Sequence, residues 1–209
     1  SRGEELKSRR IGLCVTGSVA ALKSPEIARE LIRHGAEVIP VMSDGAQSLI
    51  QPDLMRWAAE DDVVASVTGR LEHVRLTEGS ERLDLVLIAP ATANTLSKIA
   101  SGISDTVITL LASCALGSGI PIVAAPSMHQ SLLTNPAVKD NLDRLKTLGV
   151  EVLEPLVEEG KAKITPTEDI VEAVIRRLYV KDMVGRRVLV TAGPTHEHLD
   201  PVRILTNRS

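Results

Sequence analysis

Short apolar runs alternate along the chain with longer segments of helical periodicity. The runs at 11–16, 36–42, 84–89, 120–125, 149–153 and 187–191 are almost continuously apolar, which is typical of parallel strands covered on both faces. The segments 24–35, 93–116, 135–149 and 165–180 carry apolar residues at helical spacing. This alternation predicts an α/β fold, doubly wound and flavodoxin/Rossmann-like, with a parallel sheet and helices on both of its faces.

Capping signals refine the helices. Ser24 is expected to cap the first helix, with Pro25 in its first turn and Gly35 at its end. The long segment 93–116 is expected to break at Gly102. A cap signal of threonine and aspartate in TPTED is expected to open the last helix.

Composition then narrows the class of protein. The chain has 209 residues, a formal net charge of −3, 44 % hydrophobic residues and no apolar run of the length that a membrane helix needs. Aromatic residues make up 1 %, which disfavours the stacking platforms of single-stranded nucleic-acid binding. We therefore expect a soluble globular protein without a nucleic-acid or membrane partner.

The two cysteines, Cys14 and Cys114, lie far apart in apolar segments. They are interpreted as two buried thiols, which favours a reducing, cytoplasmic compartment. The chain has no CxxC motif or Cys/His cluster, so no metal site is expected.

In doubly wound folds, ligands bind beyond the carboxyl ends of the strands. The loop after the first run, TGSVAALKSPE, offers Gly17 for close backbone approach and Ser18 beside a helix start that can bind phosphate. It lacks the GxGxxG dinucleotide fingerprint, and a tight strand-to-helix turn explains it equally well. Ser43, after the second run, is either a phosphate contact or a helix cap.

The third run ends in PATANTLSK. Here Thr92, Asn94 and Thr95 cluster at a helix start, with Lys98 one turn further on. Helix capping explains one of these residues, and the cluster is a candidate anion- or ring-binding site.

The histidines divide by position. Polarity alternates around His73, which puts Leu71, His73 and Arg75 on one face. A lone histidine is more often a surface or satisfied residue, as expected for His34 and His198. His129 follows a strand end in PSMHQ, so a site-facing role and a structural role are both open.

Four boxes occur in order: TGSVAALKSPE, a histidine followed by Val-x-Leu, PATANTLSKIASGISDT and PSMHQSLLTNP. Together they resemble the homo-oligomeric flavin-containing cysteine decarboxylases over residues 11 to 178. The resemblance implies FMN-dependent decarboxylation of 4′-phosphopantothenoylcysteine in coenzyme A synthesis. In that reaction the thiol is oxidised to a thioaldehyde, CO₂ leaves, and the enethiolate is reduced to 4′-phosphopantetheine.

The resemblance also implies roles for individual residues. His73 and His129 would be catalytic, and His73 would serve a neighbouring subunit's flavin, because flavin sites in the family form between subunits of a trimer or a multiple of trimers. Met128, His129, Lys161 and Lys163 would contact substrate. FMN would be held by Gly17, Ser18, Val19, Ser43, Thr92, Ala93, Asn94, Thr95 and Ser127.

Two departures from the family pattern stand out. His129 occupies a position that is usually Asn, and Leu132 and Leu133 replace the usual Met and Trp. The flap segment over 154–163 has no cysteine to donate a proton in the final reduction. Lys161 or Lys163 would bind the substrate phosphate or replace that donor, and solvated lysines on a flap are the alternative.

The tail GRRVLVTAGPTHEHLDPVRILTNRS resembles the opening of phosphopantothenate–cysteine ligase, which is fused behind the decarboxylase in bifunctional proteins. Residues 1–180 are expected to form the FMN-binding decarboxylase domain. Residues 181–209 are expected to be a linker and the truncated start of a ligase-like domain, without ligase activity. Three alternatives remain open: a flavin prenyltransferase-like enzyme, a peptidyl-cysteine decarboxylase, and a non-catalytic flavin-binding subunit.

Overall fold

The computed structural model describes residues 3–68, 72–158, 161–179, 184–193, 196–198, 200 and 204–206. Its strands are β1 (Arg10–Val15), β2 (Glu37–Met42), β3 (Leu85–Ala91), β4 (Ile122–Pro126), β5 (Met128–His129), β6 (Glu151–Val152), β7 (Leu156–Glu158), β8 (Lys161–Lys163), β9 (His196–His198) and β10 (Ile204–Thr206).

The helices alternate with these strands. They are α1 (Ser24–Arg33), α2 (Asp44–Gln47), α3 (Pro52–Ala59), α4 (Glu72–Thr77), α5 (Ala93–Ala100), α6 (Val107–Gly117), α7 (Gln130–Leu133), α8 (Pro136–Thr147) and α9 (Thr167–Leu178), and a 3₁₀ turn over Val19–Lys23 precedes α1.

Five parallel strands form the central sheet, in the order β2-β1-β3-β4-β6. From β1 the chain moves to β2 on one side, and it later returns to place β3 on the other side of β1. The strand order therefore reverses between β1 and β3, which opens a crevice at the carboxyl ends of these two strands. This topology confirms the predicted doubly wound α/β fold.

Successive residues of β3 alternate between two separate cores. Leu85 and Leu87 pack in one core with Ile27 of α1, whereas Val86 and Ile88 pack in the other with Leu96 of α5. Burial on both faces explains why the strand sequences are continuously apolar. Each fully buried Leu or Ile contributes about 1.5–3 kcal/mol of transfer free energy.

Some local predictions are confirmed. The predicted break at Gly102 is present, because Gly102 adopts φ +73° between α5 and α6.

Others are wrong. Ser24 does not cap α1, since its hydroxyl donates to the carbonyl of Ala89 (3.1 Å). Pro166 occupies the cap position of α9, where no side chain supplies a cap bond. His73 and Arg75 belong to helix α4, so their side chains do not alternate across an extended segment.

The run 187–191 is not a strand, and its Val188, Leu189 and Val190 are exposed. A strand requires a hydrogen-bonding neighbour, and none pairs with this run among the described residues. Residues 1–179 form one compact unit, and residues 180–209 form a second. In the second unit, β9 and β10 form an antiparallel pair.

Within the described ranges, no helix combines the length and the apolar character needed to cross a membrane.

Candidate functional site

A cavity of about 1600 Å³ lies at the carboxyl ends of the central strands. Its walls come from the loops after β1, β2, β3 and β4, as the fold predicts. The residues proposed from sequence that line it are Gly17, Ser18, Val19, Ser43, Thr92, Ala93, Asn94, Thr95, Ser127, Met128, His129 and Lys163.

The turn after β1 brings bare backbone to the cavity. A Cβ atom at Gly17 would lie 3.0 Å from the Cα of Gly45 in the loop after β2. The two loops can approach this closely because both positions are glycine, which has no side chain. The hydroxyl of Ser18 accepts from the Ala20 N–H (3.3 Å) and hydrogen-bonds the hydroxyl of Ser127 (3.1 Å), which joins this turn to the end of β4.

Hydroxyl groups also mark the helix starts at the cavity. Ser43 caps α2 by accepting from the Ala46 N–H (3.2 Å), so its capping role and its cavity position coexist. Thr92 caps α5, and its hydroxyl donates to that of Thr95 (3.1 Å). Capping therefore accounts for Thr92 and Thr95, while Asn94 stays exposed on the cavity wall.

The end of β4 forms a further wall. Met128 is buried and His129 is exposed at the start of α7. The short strand that they form pairs with β8, and β8 pairs with β7, which gives a three-stranded antiparallel sheet beside the cavity. Leu156 and Lys163 of this sheet line the cavity. The backbone of Lys161 pairs with His129, but its side chain lies outside the described part of the structure.

His73 is not among the residues that line the cavity of its own chain. It is half-buried in α4, and its Nδ1 atom is buried without a hydrogen-bond partner in the described chain. His34 is a satisfied histidine, as expected, because its Nδ1 lies 2.9 Å from the Glu5 carboxylate. The hydrogen bond to His34 is the main cause that lowers the pKa of Glu5. The side chain of His198 lies outside the described residues.

Neither cysteine lines the cavity, and both are free. Burial raises the pKa of the Cys14 thiol to about 12. Among the described side chains, no group of three or more His, Cys, Asp or Glu residues could hold a metal ion.

Sequence reasoning missed part of the cavity wall. Asp105 and Thr106 line it from the connection between α5 and α6. Asp105 accepts from Lys98 (2.6 Å), and this hydrogen bond is the main cause that lowers the pKa of its carboxyl. Thr106 and Thr109 form a capping box for α6, a signal readable as Thr-x-x-Thr before an apolar run.

Comparisons with known proteins agree with this architecture. Residues 1–179 match the model of the flavoprotein family, and residues 183–209 match that of the DNA/pantothenate metabolism flavoprotein C-terminal domain. The coenzyme A biosynthesis bifunctional protein CoaBC of Thermococcus kodakarensis is 49 % identical over the whole chain, and that of Methanocaldococcus jannaschii is 36 % identical. The chain spans about half the length of these relatives, 52 % and 51 % respectively.

Among solved structures, the FMN-dependent cysteine decarboxylase SpaF superposes with a TM-score of 0.71 at 27 % identity, over 83 % of this chain and 98 % of that chain. The ordered boxes, the crevice between β1 and β3, and the family match over residues 1–179 agree with one another. The chain therefore belongs to the flavoprotein family.

Proposed function

We propose that this chain binds FMN in the cavity and decarboxylates 4′-phosphopantothenoylcysteine to 4′-phosphopantetheine in coenzyme A biosynthesis. The observation that carries the proposal is the convergence of three capped N-termini on one cavity beside Met128 and His129: those of the 3₁₀ turn at Ser18, of α2 at Ser43 and of α5 at Thr92. Free N–H groups at helix starts favour an anionic group such as a phosphate.

The residues present fit FMN. Gly17 and Gly45 have no side chains, so a ligand can approach the backbone of the loops after β1 and β2. Ser18 and Ser43 would hold the phosphate, with Val19 and Ser127 beside them. Thr92, Ala93, Asn94 and Thr95 would contact the ring and the ribityl chain. When bound, FMN would supply the two-electron oxidation and reduction that the cysteine moiety requires.

Other residues would act on the substrate. His129 would hold the substrate carboxylate by donating a hydrogen bond, and Met128 would pack against the cysteine carbon chain. Lys161 and Lys163 would bind the substrate phosphate. The position of Lys163 supports this role, because Lys163 lines the cavity from β8, the strand that pairs with the strand of His129.

His73 would exchange a proton with the substrate of a neighbouring subunit in a homotrimer, or in a multiple of trimers. This proposal fits its location in α4, away from the cavity lining of its own chain. The enzyme would act in the cytoplasm, where thiols such as Cys14 and Cys114 stay reduced. Residues 1–180 would form the decarboxylase domain, followed by a linker and the beginning of a ligase-like domain.

The relatives support this substrate. Two of them are named as coenzyme A biosynthesis proteins, and the match over 183–209 is to a domain of pantothenate metabolism. The similarity to a solved peptidyl-cysteine decarboxylase favours a second candidate, the decarboxylation of a cysteine at the end of a peptide. Both candidates need FMN and differ in the group attached to cysteine.

The test is to incubate the flavin-loaded chain with phosphopantothenoylcysteine and to measure CO₂ and 4′-phosphopantetheine. We expect both products in equal amounts. Enethiol without 4′-phosphopantetheine would show that only the oxidative half and CO₂ loss occur. No CO₂ from this substrate, with CO₂ from a peptide ending in cysteine, would favour the second candidate. FMN binding without turnover of either substrate would favour a non-catalytic flavin-binding subunit.

A further inference from the structure

A buried threonine hydroxyl joins two walls of the cavity. Thr16, the first residue after β1, is 1 % exposed. Its Oγ1 donates a hydrogen bond to the Pro90 carbonyl (2.7 Å) and accepts one from the backbone N–H of Thr92 (3.0 Å). The backbone N–H of Thr16 also donates to the Pro90 carbonyl (3.3 Å).

The sheet itself does not supply these bonds. The β1–β3 ladder ends at the pair Cys14 and Ile88, and the β3–β4 register shifts between Ile88 and Ala91. Buried backbone groups beyond this point need other partners. A hydroxyl has one proton to donate and lone pairs to accept with, so one side chain satisfies the Pro90 carbonyl near the end of β3 and the Thr92 N–H just beyond that strand.

The position of these bonds connects them to the cavity. Thr16 directly precedes Gly17 and Ser18, which line the cavity. Thr92, the capping residue of α5, lines it as well, whereas Thr16 does not. We infer that Thr16 is a positioning residue, whose hydroxyl holds the Thr92 amide and thereby fixes the start of α5 against the turn after β1. Its effect on flavin binding rests on the proposed function.

The chain offers a matched control. The hydroxyl of Ser24 is fully buried and donates to the carbonyl of Ala89, the residue before Pro90. Ser24→Ala therefore removes a buried hydroxyl bond to the same segment without releasing the Thr92 amide. Thr16→Val keeps the shape of threonine but removes both bonds, and Thr16→Ser keeps both.

The experiment titrates FMN into the flavin-free full chain and follows flavin fluorescence. We expect Thr16→Val to raise the dissociation constant for FMN about tenfold or more, and Thr16→Ser and Ser24→Ala to change it about twofold or less. Equal affinities of Thr16→Val and the wild type would overturn the inference, and so would equal losses in Thr16→Val and Ser24→Ala.

A second measurement does not depend on flavin. Hydrogen exchange at the Thr92 amide of the flavin-free chain should accelerate about tenfold or more in Thr16→Val but not in Ser24→Ala. If the wild type bound no FMN, the proposed function would fail, and the exchange rate of the Thr92 amide alone would test the role of Thr16. Unchanged exchange in Thr16→Val would then overturn the inference. Should Thr16→Val not fold, Thr16→Cys, with its weaker donor and acceptor, replaces it with the same expected ranking.

Discussion

At the scale of single residues, His73 carries the proposed proton transfer without lining the cavity of its own chain. We expect His73→Asn to retain FMN and to lower the rate of CO₂ release about 100-fold or more, because an amide cannot exchange a proton as imidazole does. Flavin absorbance after gel filtration measures retention, and a CO₂ assay measures the rate.

His34→Asn is the matched control for this variant. His34 pairs with Glu5 and is absent from the cavity lining, so its replacement should leave the rate of CO₂ release near that of the wild type. Full activity of His73→Asn would show that its imidazole has no part in the reaction.

The prediction for Asn94 concerns FMN binding rather than proton transfer. Asn94→Asp replaces the amide donor on the cavity wall with an acceptor-only carboxylate, and we expect about tenfold weaker FMN binding. An acidic residue in the first turn of α5 favours the helix by about 0.3–1 kcal/mol. The thermal midpoint should therefore not fall, and a lower midpoint with unchanged FMN content would contradict the proposed contact.

At the scale of elements, the close approach of two loops depends on absent side chains. In Gly17→Ala, the new Cβ would meet the Cα of Gly45 at 3.0 Å and its carbonyl carbon at 3.1 Å. Backbone cannot yield as a side chain does, so we expect a loss of about 1–3 kcal/mol in the free energy of unfolding. FMN affinity should fall as well, because the loops after β1 and β2 must separate.

Gly117→Ala at the end of α6 provides the control, since a Cβ there has no neighbour within 4 Å. Alanine favours a helix over glycine by up to about 1 kcal/mol, so this variant should be as stable as the wild type or slightly more so. Chemical denaturation of both variants gives the comparison. Equal stability of Gly17→Ala and the wild type would show that the loops can move apart freely.

A carboxylate holds the start of α4, the helix that carries His73. Glu72 accepts hydrogen bonds from the Thr68 hydroxyl and from the Thr68 N–H, the latter at 2.8 Å. The hydrogen bond from the hydroxyl is the main cause that lowers the pKa of the Glu72 carboxyl to about 2, and the bond from the N–H is the next. Because the folded pKa lies below the unfolded value of about 4.3, this stabilisation is full above pH 4.3 and is lost as the pH falls through about 2.

The prediction that follows concerns Glu72→Gln. At pH 7 it should lower the free energy of unfolding by about 1–3 kcal/mol, and its difference from the wild type should narrow below about pH 4. Thermal midpoints across this pH range measure the effect. The control is Glu78→Gln, because Glu78 is exposed and lies just beyond α4. Its free energy of unfolding should stay within about 0.5 kcal/mol of the wild-type value. A pH-independent difference for Glu72→Gln would show that its charge is not the stabilising feature.

The elements predictable from sequence are those with two-sided burial. Strands β1 to β4 have apolar residues on both faces, which makes their sequences unmistakable. Helix α4 has six residues and exposes Val74, so its sequence carries too little periodicity to separate a helix from an alternating segment. The run 187–191 has strand composition, but pairing depends on neighbours that a local pattern does not specify.

At the scale of the whole molecule, topology explains why most of the candidate site was predictable. Loops after parallel strands meet at one sheet edge, so Ser18, Ser43, Thr92 and Ser127 converge although they are far apart in sequence. Asp105 instead follows helix α5, so its approach to the cavity depends on tertiary packing. The same limit applies to His73, whose proposed site requires a second chain.

Shared sites between subunits lead to a quantitative prediction. Suppose that each site combines the cavity of one subunit with His73 of the next in a closed trimer. Two inactive variants can then complement each other: His73→Asn supplies an intact cavity, and Gly17→Val, which enlarges the clash with Gly45, supplies an intact histidine. In either mixed trimer, one interface of the three joins an intact cavity to an intact histidine.

Co-expression with two different affinity tags, followed by purification on both, isolates the mixed trimers. We expect them to release CO₂ at about one third of the wild-type rate, while each variant alone stays inactive. If His73 instead served the cavity of its own chain, every subunit would lack one functional part and the mixed trimers would be inactive. The two arrangements thus differ by the presence or absence of activity, which a single CO₂ assay on the doubly purified protein decides.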